Sequence, residues 1–226
     1  MSDHSNRTRI KAVARALDAL NKKVVFVGGA TISLYPERPV LEVRPTDDVD
    51  VIIEILNYTD RTVLEEKLRA IGFSHGIESG VICRYRIQGI IVDIMPTNDS
   101  SVGFSNKWYP EGFKQAVDFA IDETCSVKIL SAPFFIATKL EAFKDRGKND
   151  GRTSEDFEDI VYVLENREGV WDEMMQADAA IKKYLQSEFL VLLNNPDINE
   201  WIDSHAERGY RSEPALIIEE MKEFVK

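Results

Sequence analysis

The chain has 226 residues, 44% of them hydrophobic, enough for a packed core in one large domain or two small ones. A formal charge of −11 repels nucleic acid on average, which disfavours a general duplex-DNA binder and obliges any polynucleotide substrate to meet a local basic patch and bound metal. No apolar run nears the roughly 20 residues of a membrane span, the polar start Met1-Ser2-Asp3-His4-Ser5 has no signal-peptide core, and Cys83 and Cys125 are too isolated for a disulfide framework or zinc site, so a soluble, cytoplasmic protein with buried thiols is expected.

From about Arg7 to Leu20, the apolar residues Ile10, Val13, Leu17 and Leu20 recur at helical spacing and predict an amphipathic helix. Val24 to Val27 reads as a buried strand that breaks at Gly28-Gly29 into a helix start. Such a place either receives phosphate on backbone N–H groups or is only a tight turn. Pro36, Pro39 and Pro45 exclude a regular helix between Tyr35 and Pro45 and imply a loop back to the sheet. Thr46-Asp47-Asp48-Val49-Asp50-Val51-Ile52-Ile53 follows. Side chains alternate on a strand, so Asp48 and Asp50 share one face while Val49, Val51 and Ile53 share the other. Two adjacent carboxylates repel unless a hard cation such as magnesium lies between them; the plain alternative is a strand that starts from an acidic turn.

Asp60 is expected to cap a helix carrying Val63, Leu64, Leu68 and Ile71, with Gly72 closing it. Gly80–Ile87 and Ile90–Met95 read as a hairpin around Gln88-Gly89, which places Asp93 in the sheet with Val92 and Ile94 on the opposite face. Asp93 is then either a third site carboxylate or an exposed position on an edge strand. The Trp108-Tyr109-Pro110 cluster reads as a packed loop, and Ala116–Ile121 and Ser126–Leu130 as two further strands of a mixed sheet.

In the second half, Ser131-Ala132-Pro133 opens a helix whose apolar stripe is Ile136, Leu140 and Phe143, with Lys139 and Arg146 on another face. A loop from Gly147 to Thr153 leads to Ser154, which caps a helix with Glu155 and Asp156 in its first turn and Phe157, Ile160, Val161 and Leu164 as its core stripe. From Val170 a long helical run reaches Leu193, breaks at Asn194-Asn195-Pro196, and gives two shorter helices. The fold class is thus α/β, a mixed sheet flanked by helices with an α-helical C-terminal lobe. The expected domains are 1–130 and 131–226, with a soft boundary.

The order apolar strand, Gly28-Gly29, then Asp48-x-Asp50, then Asp93 resembles the polymerase-β-type nucleotidyltransferase superfamily. Arg44-Pro45-Thr46-Asp47-Asp48-Val49-Asp50, and the stretch through Lys139 to Asp159, are similar to the AbiEii-like branch of abortive-infection toxins. The resemblance implies transfer of a nucleoside monophosphate from a nucleoside triphosphate to a hydroxyl. In it Asp48, Asp50 and Asp93 hold two magnesium ions, Asp93 takes the proton of the attacking group, Gly28 and Gly29 cradle the triphosphate, and Arg44 and Thr46 stand beside the acids. It further implies that Lys139 neutralises triphosphate charge, that Asp156 or Asp159 joins the site, and that an antitoxin is a partner. A transfer-RNA end or a protein hydroxyl is the implied acceptor, held by a cationic rim of Arg44, Lys139, Arg146, Lys148 and Arg152. A metal-dependent glycosyltransferase, which also uses Asp-x-Asp, and a non-catalytic nucleotide-binding or interaction protein on the same fold are the alternatives.

Overall fold

The computed structural model describes residues 2–36, 43–55, 58–76, 81–98, 106–148, 150–206 and 214–226. It divides into two compact units, Met1–Leu34 with Leu41–Ser131, and Tyr35–Val40 with Ala132–Lys226.

The first unit is a seven-stranded mixed sheet with helices. Helix α1, Ser2–Leu17, buries Ile10, Val13, Ala14 and Leu17 along one face, as the spacing requires. The expected helix end at Leu20 is corrected: Asp18 adopts a positive φ of 49°, and the chain tightens into a 3-10 turn, Asp18–Lys23, that holds Leu20. Strand β1, Val24–Val27, is buried throughout. The helix expected to start at Gly28-Gly29 is present as a 3-10 helix, Gly29–Leu34. Strand β2, Asp48–Ile53, follows, then helix α2, Tyr58–Ala70. Asp60 therefore lies inside the first turn of α2 instead of capping it. Gly72, at φ +96°, ends this helix with Phe73 N donating to the Leu68 carbonyl, a left-handed closure suited to glycine.

Strands β3 (Ser74–His75), β4 (Arg84–Ile87) and β5 (Ile90–Pro96) come next. Gln88 and Gly89 both have positive φ, at 51° and 81°, which is the two-residue turn that matches strand twist. Trp108-Tyr109-Pro110 is corrected from a loop to the start of a short helix α3, Tyr109–Lys114, because proline fits the first turn. Strands β6 (Val117–Asp122) and β7 (Cys125–Ile129) complete the sheet. Its order is β3-β4-β5-β2-β1-β7-β6. Strand β2 is central, antiparallel to β1 and parallel to β5, while β1 runs parallel to β7. Expectations for Pro39 and for the strand start at Gly80 lie outside the described residues.

The second unit is helical. Helix α4, Ala132–Arg146, is buried on nearly every side from Ala132 to Leu140, so it forms that unit's centre. Tyr35 belongs to this unit: its ring lies 4.4 Å from that of Phe135 and its carbonyl accepts from Arg167. Ser154 caps helix α5, Glu155–Asn166, by accepting from Phe157 N. Phe143, Phe157 and Trp201 pack ring against ring at 5.3 to 5.8 Å, and a Cβ on Gly151 would meet Trp201 at 2.6 Å. The expected single run from Val170 is two helices, α6 (Val170–Gln176) and α7 (Ala179–Leu193), because Ala177 and Asp178 are extended. Helices α8, Ile198–His205, and α9, Pro214–Phe224, follow. Among the described residues, no helix is long and apolar enough to cross a membrane.

Candidate active site

Strand register builds the site in the first unit. The parallel β2–β5 pairing sets Asp50 opposite Asp93, and the antiparallel β1–β2 pairing sets Asp50 opposite Val27, the residue before Gly28. Asp48 stands two residues along β2 on the same face. One carboxylate oxygen from each of Asp48, Asp50 and Asp93 lies within 4.8 Å of the others. Asp93 is buried, while Asp48 and Asp50 are partly exposed. Burial, reinforced by the charge of Asp93, pushes the Asp48 carboxyl above its ordinary value although Arg84 pulls it down.

Arg84 is the residue that the sequence did not single out. On β4 it pairs with Asp93 across the hairpin. Its Nε donates to Asp93 Oδ1 at 2.8 Å and its Nη2 to Asp93 Oδ2 at 2.6 Å, a two-pronged ion pair, while Nη2 also reaches Asp48 Oδ2 at 3.4 Å. The Asp93 hydrogen bonds raise the guanidinium further above its ordinary value. The turn at Gln88-Gly89 carried the signal: a two-residue hairpin counts back from Ile90 and Ile87 to place Arg84 opposite Asp93. Burial, and then the charge of Asp93, push the Cys83 thiol up.

The glycines are required by close approach. Gly28 has φ +73°, and a Cβ there would sit 2.0 Å from Asp50 Oδ2. A Cβ on Gly29 would meet Arg44 Nη2 at 2.4 Å and Thr46 Cγ2 at 2.9 Å. Gly28, Gly29, Arg44, Thr46 and the three acids are thus neighbours. Asn6, fully buried on α1, holds the segment that leads into β2: its Nδ2 donates to the Arg44 carbonyl at 3.2 Å, and its Oδ1 accepts from Thr46 N at 3.4 Å and Thr46 Oγ1 at 3.3 Å. Asn6 was also missed, though it falls four residues before Ile10 on the same apolar stripe, where a polar side chain needs a partner.

Lys139, Asp156 and Asp159 form a separate cluster within the second unit. Lys139 Nζ, on α4, lies 3.0 Å from Asp156 Oδ1 and 2.5 Å from Asp159 Oδ2, so both acids of α5 hold it. All three residues are buried. Arg146 adds two bonds to Asp156, at 2.7 and 2.8 Å. Burial alone would raise the Asp156 carboxyl, but the Arg146 hydrogen bond and the charges of Lys139 and Arg146 outweigh it and hold it low. Of the residues expected on a cationic rim, Arg152 bonds Asp150 at 2.9 Å and Glu200 at 3.3 Å through its guanidinium, and Arg146 is tied to Asp156.

Two acids on the central strand, a third in register and glycines packed against them make a set of hard oxygen donors that could hold a divalent cation. The family model for the nucleotidyl transferase AbiEii toxin of type IV toxin–antitoxin systems matches residues 11–223. No curated protein matches the sequence. The chain belongs to the AbiEii nucleotidyltransferase toxin family, and its enzyme class is nucleotidyltransferase.

Proposed function

We propose that this AbiEii family member moves a nucleoside monophosphate from a nucleoside triphosphate to a hydroxyl, using magnesium held by Asp48, Asp50 and Asp93. The observation that carries this is the convergence of the three carboxylates within 4.8 Å. The donor set fits the ion: all ligands are hard carboxylate oxygens, and the acids outnumber the two guanidinium groups beside them, those of Arg84 and Arg44. Bound there, two such ions would neutralise the phosphate oxygens and make an acceptor hydroxyl more acidic.

The chain's own residues supply the rest. Asp93, held by Arg84 in one orientation, is the group to receive the proton of the attacking hydroxyl. Gly28 and Gly29 keep side-chain bulk away from Asp50 and Arg44, leaving backbone to face the triphosphate. Arg44, whose carbonyl is held by Asn6, and Thr46 meet the phosphates. Catalysis of this class rests on positioning and charge neutralisation. A glycosyltransferase needs the Asp-x-Asp pair but neither Asp93 in register with Asp50 nor a glycine packed on Asp50.

The acceptor is a transfer-RNA end in the first instance and a protein hydroxyl otherwise, with an antitoxin chain as the natural partner of the toxin family. Purified protein incubated with each α-labelled nucleoside triphosphate, magnesium and total RNA tests this. Label in a small RNA, lost with a chelator, is the expected result. Label in neither RNA nor protein with any triphosphate would refute it.

A further inference from the structure

A second place for phosphate lies at the other end of the same strands. A cavity of about 310 Å³ is lined by Lys22 and Lys23 from the 3-10 turn, Val24 and Val25 of β1, Ile53 and Glu54 after β2, Phe113 of α3 and Lys128 of β7. Val24 pairs with Ile53, three rungs along from the Val27–Asp50 pair, which is about 10 Å of strand. The cavity and the acid triad therefore occupy opposite ends of one sheet.

Its charge runs against that of the chain. Three lysines and one glutamate surround it, in a protein of formal charge −11. Nearly every other cation described above is engaged: Arg84 with Asp93, Arg146 with Asp156, Arg152 with Asp150, Lys139 with two acids. Among the described residues, the side chains of Lys22, Lys23 and Lys128 make no hydrogen bond or ion pair, although Asp118 stands opposite Lys128 in the β6–β7 register. The three lysines are exposed side chains around one cavity, so their ammonium groups can turn toward an anion bound there, which would offset their like charge. Lysine acts as a point charge and suits the compact charge of a phosphate. Val24, Val25, Ile53 and Phe113 supply an apolar and aromatic wall, and the volume falls at the small end of ligand pockets, where a single nucleotide unit fits.

We propose that this cavity binds a phosphate-bearing nucleotide unit, either a free mononucleotide or one nucleotide of an RNA strand. It would act as an anion site independent of the metal chemistry at Asp48, Asp50 and Asp93.

The test is binding by the full chain in a chelator and low salt, so that metal-dependent triphosphate binding is silent. Probes are inorganic phosphate, adenosine monophosphate, a short oligoribonucleotide and an oligoglutamate peptide. The double variant Lys22→Gln, Lys128→Gln should weaken nucleotide or oligoribonucleotide binding about tenfold and, for RNA, flatten the salt dependence by about 0.7 per lost contact. Glu54→Gln should tighten it, and Lys182→Gln, Lys183→Gln in the second unit should leave it unchanged. All these side chains are at or near the surface, and melting curves identify any variant that does not fold; Lys23→Glu provides an independent disruption. Tighter binding of the mononucleotide identifies a free nucleotide as the ligand, and tighter binding of the oligomer with a salt slope identifies RNA. Equal binding by wild type and the double variant, no binding of any phosphate probe, or preference for oligoglutamate overturns the proposal.

Discussion

Two charged clusters, one in each unit, use the same residue types to opposite ends. In the first unit Asp48, Asp50 and Asp93 converge on one point with Arg84 and Arg44 beside them, so acid is in excess and two of the carboxylates reach solvent. In the second, Asp156 and Asp159 meet Lys139 and Arg146, one base for each acid, with both carboxylates buried. A buried cluster that is complete in charge holds helices together and has no call for an ion. A half-exposed cluster with acid to spare gains stability when a cation joins it. The position of the excess charge, more than the number of acids, distinguishes a metal site from a structural ion pair.

Substitution separates the two clusters. Asp48→Asn or Asp50→Asn should lower nucleotide transfer on the order of 10³-fold while the metal-free melting temperature stays level or rises, since like-charge repulsion is relieved. Turnover near wild type in either variant would reduce the acid pair to a strand start. Lys139→Met should show the reverse emphasis, costing about 3–5 kcal/mol in urea midpoints because Asp156 and Asp159 are left buried without their shared ammonium group. A neutral effect on stability would mean that the second cluster is not structural.

Arg84→Gln sharpens the contrast. In a chelator it should cost about 1 kcal/mol, reduced by partial exposure, since Asp93 loses its guanidinium. With magnesium the loss should shrink and the metal should bind more tightly, because Arg84 and the ion compete for the same oxygens. Equal magnesium affinity in the two proteins would contradict that competition.

The smallest effect is in pH. Asp48 is raised above the ordinary 3.8, so its contribution to metal-free stability is present below that value and is lost as pH rises through the folded value. Asp156 is lowered from 3.8, so its contribution is present above that value and is lost as pH falls through the folded value. Asp156→Asn should therefore destabilise at pH 7 and cease to matter in strong acid, whereas Asp48→Asn should not destabilise at pH 7. Urea midpoints at both pH values check the signs.

How much the sequence disclosed follows from how local each feature is. Asp48, Asp50 and Asp93 stand out because an ionisable residue inside an apolar strand run is costly, and the alternation of Val49, Val51 and Ile53 assigns their face without tertiary information. Arg84 was recoverable from the length of its hairpin, and Asn6 from its place on the stripe of Ile10, Val13 and Leu17. The 3-10 form of Gly29–Leu34 was not, nor was the close approach of Arg44 and Thr46 to Gly29, which brings together residues 15 and 17 positions apart. Nor was the engagement of Arg152, whose partner Glu200 is 48 residues away. The break between α6 and α7 falls at Ala177 and Asp178, which the apolar periodicity on either side conceals.

The most direct test of the central claim, that the acid excess at Asp48, Asp50 and Asp93 exists to hold a divalent cation with the triphosphate, is a calorimetric titration of the wild-type chain with a nucleoside triphosphate, once with magnesium and once with a chelator. The account predicts binding that is strong with magnesium and at least about tenfold weaker without it, since three carboxylates otherwise repel the triphosphate. The same affinity in both titrations would contradict it.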